Sequence, residues 1–367
     1  MKTKILLINP NKWGRGITTI WIASHSGCLK KSGHNVELFD ATFYKNWTDS
    51  ELEINTKNKQ FLKTDYLKKI KWNKNDIKKD LEERIKQFSP DIIFSSALSS
   101  HIHGEGEYIN IQYAYELLKN IKHSAKIIFA GLQPTANPEV IFNNMPDIDY
   151  LISGESELVL NQIANVFPNK KEITQIEGVS YVKNKKFFKN KHQKIINDLD
   201  LISPYDYSIF SKQTFLRPYN GKVIKAVDFE LSRGCIYTCS YCVETVIQKY
   251  YGFNEKNKKG TLISAKSYLR NKSAKVIFKE IENLNKDFDI ELFRCQDTNF
   301  LTIDRKMLTE LAEYINTSKL KIKLYIETRA EGINEASIKI LKKLKIDGVG
   351  MGLELSSGDF RELSLNR

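Results

Sequence analysis

The sequence lacks the marks of membrane and secreted proteins. No apolar run approaches the roughly 20 residues that span a bilayer, so no transmembrane segment is predicted. The first residues, Met1–Pro10, are too short for a signal peptide and lead directly into a predicted strand. Cysteine is scarce as well, because the 367 residues include five, an odd number without a pairing pattern. That usage favours a reducing, cytoplasmic environment.

A basic patch interleaved with aromatic side chains is also missing. The formal net charge of +13 would suit a nucleic-acid partner, but the lysines are spread along the whole chain. We therefore interpret the charge as a solvated surface and expect no nucleic-acid partner. The hydrophobic (41%) and charged (28%) contents are those of a globular protein, and the chain is long enough for two domains with cores of their own.

Three of the five cysteines are close together in the sequence. Cys235, Cys239 and Cys242 have the spacing C-x3-C-x2-C and follow a predicted apolar strand, Val227–Leu231. A cubane iron–sulfur cluster normally takes four thiolates, so three would leave one iron open, as in a catalytic metal centre. A zinc site would need a fourth ligand, but no histidine follows these cysteines and the next cysteine is Cys295.

The cysteine loop resembles the cluster-binding loop of radical S-adenosylmethionine (SAM) enzymes. The resemblance includes Arg233-Gly234 before the first cysteine and Tyr241 before the last. It implies that the three cysteines bind a [4Fe-4S] cluster whose open iron holds the amino and carboxylate groups of SAM. In that family an electron from the cluster cleaves SAM and yields a 5′-deoxyadenosyl radical.

Residues 1–167 alternate predicted helices with short, nearly all-apolar strands. The predicted strands are Ile5–Asn9, Val36–Phe39, Ile92–Ser95, Lys126–Ala130 and Tyr150–Ile152. This pattern predicts a doubly wound parallel sheet of the Rossmann or flavodoxin type, which binds ligands at the carboxyl ends of its strands. The polar, lysine-rich stretch from Lys45 to Asn73 is predicted to be an insertion.

Motifs after four of these strands resemble the cobalamin-binding domain that precedes many radical SAM domains. They are Asn9-Pro10, Ser96-Ala97-Leu98, Ala130–Thr135 and Gly154–Glu157. The resemblance implies cobalamin contacts at Pro10, Ser96, Leu98, Gly131, Gly154 and Glu155. The motif Asp-x-His-x-x-Gly, which supplies a cobalt ligand in other cobalamin domains, is absent, so the lower cobalt ligand stays unassigned. Single histidines are more typical of solvated side chains than of ligands, and this applies to His25, His34, His101 and His103.

Residues 168–225 are predicted to be a linker with a small hairpin, formed by Gly178–Val182 and Lys185–Phe188. Residues 226–367 are predicted to form the first part of a (β/α)6 radical SAM barrel. After the cysteines, its predicted strands are Ile290–Cys295, Ile322–Ile326 and Val349–Leu353. A sheet that stopped at the last of these would leave an apolar edge unpaired, so we expect a barrel truncated at its carboxyl end.

Three segments at the ends of the predicted barrel strands resemble SAM-contacting motifs. They contain Asp297, Arg329 and Glu354, and with Tyr241 these are the SAM contacts that the resemblance implies. In the alternative interpretation Asp297 caps a helix and Arg329 forms a structural ion pair with Glu327. No individual catalytic residue is assigned.

The resemblance covers nearly the whole chain and implies a cobalamin-dependent radical SAM enzyme. The favoured reaction is methyl transfer to an unactivated carbon of a small molecule, with a reductant such as flavodoxin or ferredoxin as partner. A cobalamin-associated radical cyclase, rearrangement or oxidative enzyme is the alternative within this class. From another class, a non-catalytic iron–sulfur or cobalamin-binding sensor also fits. A tRNA methylthiotransferase would carry further amino-terminal cluster cysteines, and Cys28 is the only cysteine before Cys235.

Overall fold

The structure, a computed structural model, describes residues 2–12, 18–44, 62–96, 107–257, 260–352 and 354. The described residues form two units. The first contains the residues up to 195 together with 205–224, and the second contains 196–204 and the residues from 225 onward. Among all the described residues, no helix combines the length and the hydrophobicity that a bilayer-spanning segment needs.

The first unit is built on a seven-stranded sheet. The strands are β1 (Lys4–Asn9), β2 (Asn35–Asp40), β3 (Ile92–Ser96), β4 (Lys126–Ala130), β5 (Tyr150–Ile152), β6 (Val179–Lys183) and β7 (Lys186–Lys189). Their order is β2-β1-β3-β4-β5-β6-β7. The first five strands pair in parallel, which confirms the predicted parallel sheet. The last two add an antiparallel edge, so the hairpin predicted within a linker extends this sheet.

Eight α-helices of the first unit lie in the described residues. They are α1 (Ile20–Lys31), α2 (Tyr66–Lys69), α3 (Ile77–Phe88), α4 (Glu107–Leu118), α5 (Leu132–Ala136), α6 (Pro138–Asn144), α7 (Glu157–Val166) and α8 (Lys170–Ile173). Helix α3 shows why they form. The Asp76 side chain accepts hydrogen bonds from the amides of Lys78 and Lys79 at its amino end. Its apolar residues recur every three or four positions and enter one core with β1 and β3.

The second sheet has the order β14-β13-β12-β9-β8. Its strands are β8 (Leu216–Tyr219), β9 (Lys222–Phe229), β12 (Leu292–Cys295), β13 (Lys323–Thr328) and β14 (Ile346–Met351), and β10 (Ser232–Arg233) pairs separately with β11 (Arg270–Asn271). Strands β9, β12, β13 and β14 are mutually parallel. The helices of this unit are α9 (Glu244–Tyr250), α10 (Ala265–Tyr268), α11 (Ala274–Phe288), α12 (Arg305–Thr317) and α13 (Glu335–Lys343).

The predicted strands of this sheet have different limits in the structure, and the first and the last of them differ most in where they begin. Strand β9 begins five residues before the predicted Val227, because Asn220 and Gly221 (φ 47° and 73°) turn the chain from β8 into a hairpin. Strand β14 begins three residues before the predicted Val349 and ends at Met351. The predicted last residue, Leu353, lies outside the described residues.

The two faces of the second sheet differ in character. Val227 pairs with Phe293, and both side chains are apolar and fully buried. On the other face Asp228 pairs with Arg294, whose guanidinium Nη1 lies 3.3 Å from Asp228 Oδ1. Gln296 Nε2 donates to the same carboxylate over 3.0 Å. A parallel strand with one polar face departs from the all-apolar pattern of a strand buried on both sides, so this face is suited to bind a ligand.

Candidate functional site

The cysteine loop begins at the carboxyl end of β9. Cys235 and Cys239 are buried and Cys242 is half-buried. The amide of Cys242 donates to the carbonyl of Cys239 over 3.1 Å, and the amide of Thr245 donates to the carbonyl of Cys242 over 3.2 Å. The loop therefore turns tightly between the last two cysteines before α9 begins.

Two residues fix the first part of this loop. The Gln248 side chain of α9 donates to the carbonyls of Cys235 and Tyr237 over 3.0 and 2.9 Å. Gly234 has φ 98°, and a Cβ at this position would lie 2.6 Å from the carbonyl oxygen of Tyr268. Only glycine fits there, which gives a physical reason for the Arg-Gly pair that precedes the first cysteine.

Burial dominates the electrostatics of the three thiols. It raises the pKa of Cys235, and Glu244 and the other two cysteines raise it further. Burial also raises the pKa of Cys242 to about 11, with smaller contributions from Glu244, Cys239 and Glu354. Because the three thiols belong to one loop, ionising one of them disfavours ionising the others. A thiolate in this setting needs a nearby positive charge, such as iron.

The thiols fit a cluster better than a single metal ion. Among the described residues, no group of three or more His, Cys, Asp or Glu side chains is arranged to hold one metal ion. In a cubane cluster each cysteine binds a different iron, so the sulfurs need not converge on one point. Three neighbouring thiols on one loop are the donor set that such a cluster takes.

Arg329 follows β13 and reaches the cysteine loop. Its Nη1 donates to Cys239 Sγ over 3.2 Å, and its guanidinium carbon lies 3.7 Å from the centre of the Tyr237 ring. Its other edge forms a bidentate ion pair with Glu331, with a shortest distance of 2.6 Å. Arg329 therefore does form an ion pair, as in the alternative interpretation, but its partner is Glu331 and not Glu327. The Arg329 side chain turns away from its own strand towards the loop.

Asp297, at the carboxyl end of β12, holds the end of β9. Its Oδ1 accepts hydrogen bonds from the amides of Leu231 and Ser232 over 3.0 and 2.6 Å, and from the Ser232 hydroxyl over 2.6 Å. Its Oδ2 is buried without a hydrogen bond. Burial is the main cause that raises the pKa of Asp297 to about 7, and Glu230 adds to it. The alternative role as a helix cap is wrong, since these donors lie on another strand end.

The other two predicted SAM contacts, Tyr241 and Glu354, have weaker links to the cysteines. Tyr241 precedes Cys242 in the chain and its side chain is 43% exposed. Glu354 is exposed, and it lies near enough to Cys242 to raise the pKa of that thiol. The structure thus brings the Arg329 side chain to Cys239, whereas Asp297 binds the backbone that leads into the loop.

The predicted cobalamin contacts lie along the carboxyl edge of the first sheet. Pro10 follows β1, Ser96 is the last residue of β3, and Gly131 follows β4. The loop after β5 contains Gly154 and Glu155. Gly131 has φ 120° and ψ −166°, a conformation that glycine alone adopts readily, and Gly154 has φ 80°. At Ser96, Gly131 and Gly154 the edge is therefore built from backbone and small side chains. The remaining contact, Leu98, lies outside the described residues.

The expectation of solvated histidines is wrong for His25 and His34. His25 lies within α1 and is 2% exposed, with its ring nitrogens 2.6 Å from the Trp21 carbonyl and 2.9 Å from Ser156 Oγ. His34 is 7% exposed and its Nε2 lies 3.0 Å from Asn165 Oδ1. Both rings are bonded within the unit because α1 packs against α7. His101 and His103 lie outside the described residues.

Several residues of the site were not predicted from the sequence. Glu331 orients Arg329, and Gln248 and Tyr268 shape the loop. Glu331 could have been found in the sequence as a carboxylate two positions after an arginine. The roles of Gln248 and Tyr268 depend on how α9 and α10 fold back, which no local pattern reveals.

The fold matches that of cobalamin-binding radical SAM enzymes, which confirms the resemblance predicted from the sequence. The methyltransferase TsrM of Kitasatospora setae, solved with cobalamin and a [4Fe-4S] cluster, superposes with a TM-score of 0.68 at 15% identity. The match covers 99% of this chain and 63% of TsrM. A further TsrM structure contains tryptophan substrate and a SAM analogue.

A second solved relative is the cobalamin-dependent SAM radical enzyme OxsB. Its structure with aqua-cobalamin and SAM matches all of this chain with a TM-score of 0.64 and 16% identity, over 46% of OxsB. No protein-family model matches the chain.

Curated relatives include both methyltransferases and cyclases. An uncharacterized methyltransferase of Pyrococcus horikoshii is 23% identical over 76% of this chain and 54% of its own length. The anaerobic magnesium-protoporphyrin IX monomethyl ester cyclase of Cereibacter sphaeroides is 23% identical over 96% of this chain and 51% of its own length. The chain thus spans about half the length of the curated relatives it matches.

Proposed function

We propose that the chain carries the cobalamin and radical SAM parts of an enzyme that transfers a methyl group to an unactivated carbon of a small molecule. The observation that carries this proposal is the set of three neighbouring thiols on the loop after β9, at the carboxyl edge of a parallel sheet. The related TsrM binds a [4Fe-4S] cluster and cobalamin, and OxsB binds SAM and aqua-cobalamin.

In this proposal Cys235, Cys239 and Cys242 hold a [4Fe-4S] cluster. Such a cluster with bound SAM supplies a 5′-deoxyadenosyl radical that abstracts hydrogen from carbon, and methylcobalamin supplies the methyl group. Burial of Cys235 and Cys239 limits the access of water to these two sulfurs. The proposed SAM contacts remain Tyr241, Asp297, Arg329 and Glu354.

The carboxyl edge of the first sheet is the proposed cobalamin site. The sheet order places β1 between β2 and β3, so the direction of winding reverses beside β1. Ligands of open α/β sheets bind at this kind of switch point. Gly131 after β4 and the small residues along the edge allow a large planar ligand to approach the backbone.

A radical cyclase is the second candidate. It is favoured by the similarity to the cyclase of Cereibacter sphaeroides, which extends over 96% of this chain. Both candidates need a low-potential electron donor, for which we propose flavodoxin or ferredoxin. All five cysteines are free thiols, and we propose a reducing compartment such as the cytoplasm.

The test is anaerobic reconstitution with iron, sulfide and hydroxocobalamin, followed by incubation with SAM and dithionite. We expect a cluster absorption band and 5′-deoxyadenosine as product. S-adenosylhomocysteine formed alongside it supports methyl transfer, whereas 5′-deoxyadenosine without it favours the cyclase. The Cys239→Ala variant should lose nearly all 5′-deoxyadenosine.

The matched control is Cys28→Ala, which removes another buried thiol from a helix of the first unit. This variant should keep the cluster and the product. The radical SAM proposal fails if a cluster forms but SAM is never cleaved, and if Cys239→Ala then changes only the metal content.

A further inference from the structure

Arg329 is the cation that touches the cysteine loop. Arg329 is 8% exposed, and its Nη1 donates a hydrogen bond to Cys239 Sγ over 3.2 Å. Among the described residues no other cationic side chain hydrogen-bonds to Cys235, Cys239 or Cys242. A charge this close to a buried sulfur acts through a low dielectric, so its effect is larger than at a surface.

Two contacts fix the guanidinium in this place. Glu331 takes its Nε and Nη2 edge in a bidentate ion pair. The Tyr237 ring lies against its flat face at 3.7 Å. Tyr237 and Cys239 both belong to the loop, so Arg329 is held where its remaining edge meets the sulfur. Planar arginine suits this arrangement and lysine does not.

We propose that Arg329 sets the reduction potential of the iron–sulfur cluster by donating a hydrogen bond to the Cys239 sulfur. This inference rests on the proposed function, since it needs the cluster. Hydrogen bonds to cluster sulfurs and nearby net charge are what tune such potentials. The added electron makes a reduced cluster more negative, so a nearby cation stabilises it and raises the potential. Glu331 partly offsets that charge. This role is separate from SAM binding.

The experiment is a redox titration of the reconstituted full chain with dithionite and mediators, followed by electron paramagnetic resonance, without SAM. We expect Arg329→Gln to disfavour reduction about tenfold, which for a one-electron couple is about 59 mV towards more negative potential. Arg329→Lys should give a smaller shift of the same sign. Glu331→Gln, which removes the offsetting charge, should shift the potential in the opposite direction.

Arg305→Gln is the charge-matched control, because Arg305 is exposed on α12. It should leave the potential unchanged. Iron and sulfide content is measured for each variant, so that a damaged loop is recognised. Opposite signs for the Arg329 and Glu331 variants cannot arise from damage alone.

Two results would overturn the inference. One is an unchanged potential in Arg329→Gln with an intact cluster, whether or not the affinity for SAM falls. The other is a shift of the same sign in Glu331→Gln. If the unaltered chain forms no cluster, the proposed function fails instead, and the two failures are thereby distinguished.

Discussion

The carboxyl edges of the two sheets differ in the groups that shape them. The edge of the first sheet carries proline, serine and glycine, and its most unusual feature is the backbone of Gly131 at φ 120°. The edge of the second sheet carries thiols, a buried guanidinium and the buried carboxyl group of Asp297. The first is shaped by the absence of side chains and the second by charges held in place. The comparison teaches that backbone shape governs one site and electrostatics the other.

The largest expected effect comes from Gly234→Ala, which tests whether the second edge also depends on backbone shape. The new Cβ would lie 2.6 Å from the Tyr268 carbonyl, at φ 98°. We expect a loss of about 3 kcal/mol or more in unfolding free energy, from the left-handed backbone and the clash together. Thermal denaturation and iron content per chain are the measurements.

Gly252→Ala is the matched control for this variant. Gly252 has φ 82° but nothing within 4 Å of its Cβ position. The Gly252→Ala variant should lose only the unfolding free energy that the left-handed backbone costs an alanine, and it should keep the cluster. Equal losses in the two variants would show that the contact with Tyr268 carries no weight.

Asp297→Ala should have the next largest effect, because it breaks the charge-based arrangement of the second edge. The substitution leaves the amides of Leu231 and Ser232 without their acceptor, at a cost of about 2–3 kcal/mol. Asp297→Asn keeps an acceptor oxygen and should lose less. Chemical denaturation measures both, and an equal loss would contradict the role of the Oδ1 hydrogen bonds.

The same residue predicts a pH dependence. The pKa of Asp297 is raised from 3.8 to about 7 in the folded chain, chiefly by burial. Between these values the folded state holds a proton that the unfolded state has lost, so the contribution to stability falls as pH rises from 3.8 to about 7. Asp297→Asn should flatten this slope in unfolding free energy. An unaltered slope would place the carboxyl group in a more polar setting.

The smallest expected effect is that of Gly131→Ala on the first edge. The conformation of Gly131 should cost alanine about 1 to 2 kcal/mol. If backbone shape admits cobalamin, the variant should also retain less of it, as measured by absorbance per chain after gel filtration. Gly33→Ala, at φ 86° with nothing within 4 Å, is the control that should keep the cobalamin. Equal retention in both would remove the shape argument.

Most of the sheet framework could be predicted from the sequence. Strands β4 and β5 have the predicted limits. Each is a short apolar run between two helices, which is the pattern of a buried strand in a parallel sheet. Asn220-Gly221 is a typical hairpin turn in the sequence, but the predicted strands did not include β8, which precedes this turn. The hairpin β6–β7 pairs with β5, the strand that precedes it in the chain, although it was predicted to belong to a linker.

The candidate site was less predictable than the sheets. The cysteines were evident from their spacing, and Arg329 from its place after a strand. The contact between Arg329 and Cys239 depends on how two strand ends meet in three dimensions. His25 was misjudged because its burial comes from α7, far along the chain. The spacing of the cysteines in the sequence indicates the cluster ligands, whereas tertiary packing determines which side chains surround them.

The contact between Gly234 and Tyr268 limits what a short peptide copy of the cysteine loop can do. Thr238 donates to the carbonyl of Gly260, and Leu262 donates to that of Ile236, so the segment from 260 to 271 backs the loop along its length. A synthetic peptide from Phe229 to Cys242 would carry all three thiols without this support. A minimal transplant of the loop into another scaffold must therefore bring both segments of the chain.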